Sequence, residues 1–96
     1  MSRKLHPSEG ARFLFERVAD DGSRATYRAS IYTPDAVFTS TATLDEGGAI
    51  ELAPPGAPGD LDERLATMAK LLARDAPKRR DDGLAVWPQR LMRWRK

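Results

Sequence analysis

Apolar and polar positions alternate with a period of two through the first half of the chain. In residues 24–32 (RATYRASIY), Ala25, Tyr27, Ala29 and Ile31 fall on one side, and Arg24, Thr26, Arg28, Ser30 and Tyr32 on the other. That is the pattern of a half-buried strand. Residues 36–44 (AVFTSTATL) repeat it, with Ala36, Phe38, Ser40, Ala42 and Leu44 against Val37, Thr39, Thr41 and Thr43. Residues 11–19 give a further strand with Phe13 and Phe15 on one face and Arg12, Leu14, Glu16 and Val18 on the other, and residues 49–53 a short one with Ile50 and Leu52 inward.

The segments between these strands carry turn chemistry: Asp20-Asp21-Gly22-Ser23, Thr33-Pro34-Asp35 and Asp45-Glu46-Gly47-Gly48. Tight turns between consecutive strands predict an up-and-down meander. Its apolar face (Phe13, Phe15, Tyr27, Ile31, Phe38, Leu44, Ile50, Leu52) needs a cover. After the stiff linker Pro54–Gly59, Leu61, Leu65, Met68, Leu72 and Ala76 recur at helical spacing, with Ala69 widening the stripe. Asp60 with Glu63 has the spacing of a capping box, and Pro77 ends the helix.

The fold class expected is therefore α+β: a four-stranded antiparallel β-meander with one C-terminal helix packed on one face, followed by a basic Trp/Arg-containing tail. Residues 1–10 read as a loose N-terminal arm, 11–76 as one domain, and 77–96 as a basic segment docked on it. Within that segment, 78–83 reads as a charged loop and 84–88 as an extra edge strand. Residues 89–96 fit either a helix, with Leu91 and Trp94 on one face, or a strand, with Met92 and Trp94 on one face.

Composition adds boundaries. A chain of 96 residues with 41% hydrophobic and 31% charged residues has the make-up of one globular domain. It has no cysteine, which excludes disulfides, thiolate metal sites and cysteine nucleophiles. No apolar stretch follows the first basic residues as in a secretory signal, and none nears the roughly 18–20 residues of a membrane span. The expected location is the cytoplasm. Twelve arginines against four lysines, with no asparagine, match the codon usage of a GC-rich bacterial genome.

The net charge of +2 is unevenly spread. Residues 77–96 hold seven basic and two acidic residues, a net of +5, and residues 1–76 hold nine basic and twelve acidic residues, a net of −3.

No catalytic constellation is visible, and the expectation is that the chain is not an enzyme. The single histidine, His6, stands alone in the arm. The carboxylates Asp20, Asp21, Asp45, Glu46, Asp60, Asp62, Asp81 and Asp82 fall in turns or at a helix start, where Asp has an ordinary structural use. No phosphate-binding loop, metal spacing or cofactor fingerprint occurs, so no cofactor or metal is expected. Pro55-Gly56-Ala57-Pro58 fits a PxxP pattern and, between strand and helix, serves as a rigid spacer.

Binding chemistry concentrates at the C-terminus. Trp87, Arg90, Arg93, Trp94, Arg95 and Lys96 interleave indoles with cations, the combination that neutralises phosphates and stacks on bases. Lys78, Arg79 and Arg80 add charge, and Arg24, Arg28 and Tyr32 fall on the sheet face away from the helix. By fold analogy alone the layout resembles the single-strand-binding domains of the Whirly type. The alternative use of Trp87 and Trp94 is core packing, with arginine stems over the rings. Two functional readings stand at this level: a protein-interaction module, in homodimeric form through sheet edges or with another protein, and a nucleic-acid-binding accessory protein. No membrane partner is expected.

Overall fold

The computed structural model describes residues 9–53, 55–57 and 60–95. Most of the expected N-terminal arm, including His6, lies outside these residues, as do Pro54, Pro58 and Gly59 of the linker and Lys96 of the tail.

The alternating half of the chain folds as the expected meander. Strands β1 (Ala11–Asp20), β2 (Arg24–Tyr32), β3 (Val37–Asp45) and β4 (Ile50–Leu52) follow one another in sequence and space. Every pairing is antiparallel, and the register opposes Phe13 to Ile31, Ile31 to Phe38, and Ala42 to Leu52. This places the apolar set on one face, where Phe13, Tyr27, Ile31 and Leu44 are fully buried. Phe15 meets Tyr27 edge-on, with ring centroids 6.2 Å apart.

The turns use the predicted residues. Asp21 Oδ1 accepts from the Ser23 N–H at 3.0 Å and the Arg24 N–H at 2.9 Å. Those two backbone donors, Arg24 foremost, hold its carboxyl below the ordinary value. Gly22 and Gly48 take positive φ (95° and 97°), which glycine adopts at no steric cost.

Helix α1 (Leu61–Arg74) lies across β3, β4 and β2 and buries Leu65, Ala69, Leu72 and Ala73. The capping box does not form. Asp60 has φ −99° and ψ 16°, off the extended geometry from which a cap side chain reaches back. Its carboxylate instead takes Arg64 Nε at 3.2 Å. Asp62 receives the N–H groups of Gly56 and Ala57 at 3.2 and 3.0 Å, tying the linker to the helix.

Pro77 interrupts the helix as expected, but 78–83 is not a loop. A second helix, α2 (Ala76–Asp81), restarts with proline in its first turn, where no N–H is required. Gly83, with φ 75°, closes it: its N–H reaches Arg80 O at 3.1 Å, and the Leu84 N–H reaches Arg79 O at 2.9 Å, a Schellman ending.

The main correction concerns the tail. Among the described residues the sheet has five strands, in the order β4-β3-β2-β1-β5. The fifth, β5 (Arg90–Arg95), pairs antiparallel with β1, so the basic segment is an integral strand. Residues 84–88, expected as an edge strand, form none; they are the connection that carries the chain from α2 to the open side of β1.

The face away from the helix is also less polar than its alternation suggested. Leu14 and Ser30, opposite one another on β1 and β2, are 1% and 2% exposed. A register shift between Arg17 and Ala19 leaves Val18 as a bulged residue, and its side chain stays 63% exposed.

Candidate functional site

Residues 86–88 anchor the C-terminal segment. Three successive carbonyls are each held by a side chain: Arg79 Nε donates to Val86 O at 2.7 Å, Arg17 Nη1 to Trp87 O at 2.8 Å, and the Tyr27 hydroxyl to Pro88 O at 2.6 Å. The Trp87 indole N–H donates to Gly22 O at 3.1 Å, and its ring is 2% exposed. An irregular segment can be buried only when its backbone is satisfied in this way.

The candidate residues named from the sequence therefore separate into two groups. Trp87 is core. Arg79 spans two carbonyls, its Nη2 reaching Leu72 O at 2.6 Å. Arg80 Nη2 donates to Gly22 O at 3.0 Å and pairs with Glu46 at 2.8 Å. Arg24 pairs with Asp45 and Lys78 with Asp82, both at 3.6 Å. Of the cations expected over 78–80, Arg79 and Arg80 are thus bound back to the chain's own carbonyls and carboxylate, while Lys78 stays exposed beside Asp82.

The second group is Arg90, Arg93, Trp94 and Arg95 on β5, with Arg28 on the neighbouring part of the sheet. Register places Arg90, Met92 and Trp94 on the face away from α1, level with Glu16, Leu14 and Arg12 of β1. Glu16 thereby stands between Arg90 on one side and Arg28 on the other, and Tyr32 lies beyond Arg12 on β2. Leu91 and Arg93 alternate to the α1 side. Trp94 is 47% exposed while its indole N–H donates to Glu9 O at 3.1 Å, and Met92 is 39% exposed.

On the helix side, a groove of about 210 Å³ runs between α1 and β5. Met68, Leu71, Leu72, Pro88 and Leu91 form its apolar floor, with Arg93 on its rim. A second open groove, of about 380 Å³, lies between the Gly47-Gly48 turn and the outer side of α1, beside Lys70 and Arg74. Neither is lined by a histidine, cysteine or serine. Among the described residues no three His, Cys, Asp or Glu side chains are grouped to hold a metal ion. No helix of the described residues is long and apolar enough to cross a membrane.

The sequence marks Met92 only as a strand-face neighbour of Trp94 and Tyr27 only as core, and does not single out Arg17. Met92 carried a signal, the alternation Arg90-Met92-Trp94. Arg17 and Tyr27 carried none, because their partners lie 70 and 61 residues away.

Comparison with protein families, curated proteins and solved structures found no match.

Proposed function

We propose that this chain is a non-enzymatic protein-interaction module that engages its partner through the edge of β5. One observation carries the reading. β5 is a regular strand clamped to the body on one side, and among the described residues no strand pairs with its other side. Such an edge offers unpaired N–H and C=O groups as a template for another strand. Exposed Met92 and Trp94 supply apolar contact beside it, residue types common at protein interfaces.

The nucleic-acid alternative draws on fewer residues than the sequence offered. Trp87 has no face for a base, and Arg24, Lys78, Arg79 and Arg80 are engaged within the chain. What supports it is the row of arginines on β5. Composition supports a bacterial, cytoplasmic setting for the module.

Met92→Pro tests the reading. It removes one outward N–H at an edge position that tolerates proline. Cross-linking in cells should yield an adduct with the native chain that is lost in the variant, with the circular dichroism spectrum retained. An adduct pattern indifferent to the substitution would refute β5 as the docking edge. Titration with single- and double-stranded oligonucleotides decides the alternative, which requires binding that weakens steeply with salt.

A further inference from the structure

We infer that the partner of the β5 edge is a second copy of this chain, paired antiparallel about a two-fold axis through Met92. The inference rests on the reading of β5 as the docking edge and names what fills it.

Backbone phase comes first. The Arg17 N–H donates to Gln89 O at 2.9 Å, just before Glu16 meets Arg90. Hydrogen-bonded and non-bonded pairs alternate along an antiparallel ladder. Leu91 and Arg93 therefore bond toward β1, while Arg90, Met92 and Trp94 turn their N–H and C=O groups outward. These three are the residues that another strand can bond.

Side-chain parity and charge then select a register. If the two sheets continue with their helices on the same side, even-numbered residues of β5 must oppose even-numbered ones. Centring the pair on Arg93 sets Arg93 against Arg93, and like charges directly opposite are destabilising. Centring it on Leu91 sets Trp94 against Pro88, which has no N–H to give. Centring it on Met92 avoids both.

In that register Arg90 of each copy lies opposite Trp94 of the other, placing a guanidinium beside an indole face. Met92 meets Met92, a flexible thioether pair suited to filling space at the axis. On the helix side Leu91 faces the aliphatic stem of Arg93, next to the groove where Leu71 is 43% exposed. The strand sequence RLMRWR is self-complementary about its third residue. The contact is isologous and closes at two copies. The opposite edge, β4, has only three residues, too short to extend the array.

The test uses the whole chain. Sedimentation from micromolar up to ~1 mM, the weak limit of useful affinity, should show the mass rising from 10.7 kDa toward twice that value. Met92→Lys opposes two cations at the axis and should leave a monomer with an unchanged circular dichroism spectrum. Met92→Cys should form an intermolecular disulfide on mild oxidation, because the chain has no other cysteine. Opposed residues in a hydrogen-bonded pair have Cα atoms about 5.5 Å apart, within disulfide reach. Arg93→Cys should cross-link far less.

A monomer at every concentration overturns the inference, and so does a dimer indifferent to Met92→Lys. A dimer cross-linked through Arg93→Cys and not Met92→Cys overturns the register. If the chain is monomeric but loses a cellular adduct on Met92→Pro, self-pairing falls and the interaction-module reading stands. Salt-sensitive binding of a Glu/Val-alternating peptide by such a monomer assigns the edge to an acidic strand instead. A monomer with no edge-dependent adduct removes both.

Discussion

The indole N–H of Trp87 donates to the carbonyl of Gly22 at 3.1 Å, across 65 residues of chain. It ties the segment leading into β5 to the turn between β1 and β2. Because Arg80 bonds the same carbonyl, the turn that opens the meander also fastens α2.

Trp87→Ala should cost about 3–5 kcal/mol, the usual range for deleting a buried aromatic side chain. Native domains are stable by only about 5–15 kcal/mol, so the variant sits near the edge of folding. Urea unfolding checks the loss. Amide exchange should show β5 opening before the meander, since its lead-in segment has lost its anchor.

Arg79 joins α1 to the same segment by bonds to Leu72 O and Val86 O. Hydrogen bonds to charged groups contribute about 1.5–3 kcal/mol each, and an uncharged replacement leaves both carbonyls without this donor. Arg79→Met, at a partly buried position, should lower stability by about 3 kcal/mol, the low end for two such bonds, measured by chemical denaturation. Arg28→Met, an exposed residue on the sheet, should change it by less than about 0.5 kcal/mol.

Burial pushes the Tyr27 hydroxyl up to about 12 from its ordinary value of 10.0, against the opposing pull of Arg17 and Arg79. The phenolate forms more readily in the unfolded chain than in the folded one. Tyr27 therefore stabilises the fold fully below pH 10, and its contribution is lost as pH rises from about 10 to about 12. Tyr27→Phe should remove that part of the alkaline decline. At neutral pH it should cost about 1–3 kcal/mol, because the bond to Pro88 O is gone. Stability curves of both proteins between pH 7 and 12 check it.

The two tryptophans report on different surroundings. Trp87 is 2% exposed and Trp94 is 47% exposed. Trp94→Phe should leave a blue-shifted emission resistant to acrylamide, and Trp87→Phe a red-shifted, quenchable one. Dilution from high concentration should shift only the Trp94 signal if β5 is paired between copies.

How much of this was legible in the sequence follows from the range of the forces involved. Side chains alternate every residue in a strand and recur every 3.6 in a helix. Residues 11–53 and the stripe Leu61, Leu65, Met68, Leu72 thus dictated a meander with a covering helix through local pattern alone. The fate of residues 77–96 was not local. Six residues, RLMRWR, are too few to separate the two periods: Leu91 and Trp94 fit a helix, Met92 and Trp94 a strand. The unpaired side of β1 settled it, since a strand there satisfies backbone groups that a helix would leave bare. The cations behaved likewise. From sequence, Arg79 and Arg80 form an outward patch, but carbonyls and a carboxylate delivered by the fold bind both of them back to the chain. The sequence by itself determined the four-stranded meander, its covering helix and the basic character of the last segment. Tertiary structure alone decided that Trp87 is core and that Arg90, Met92 and Trp94 form the exposed edge, because both depend on which distant segment each residue meets.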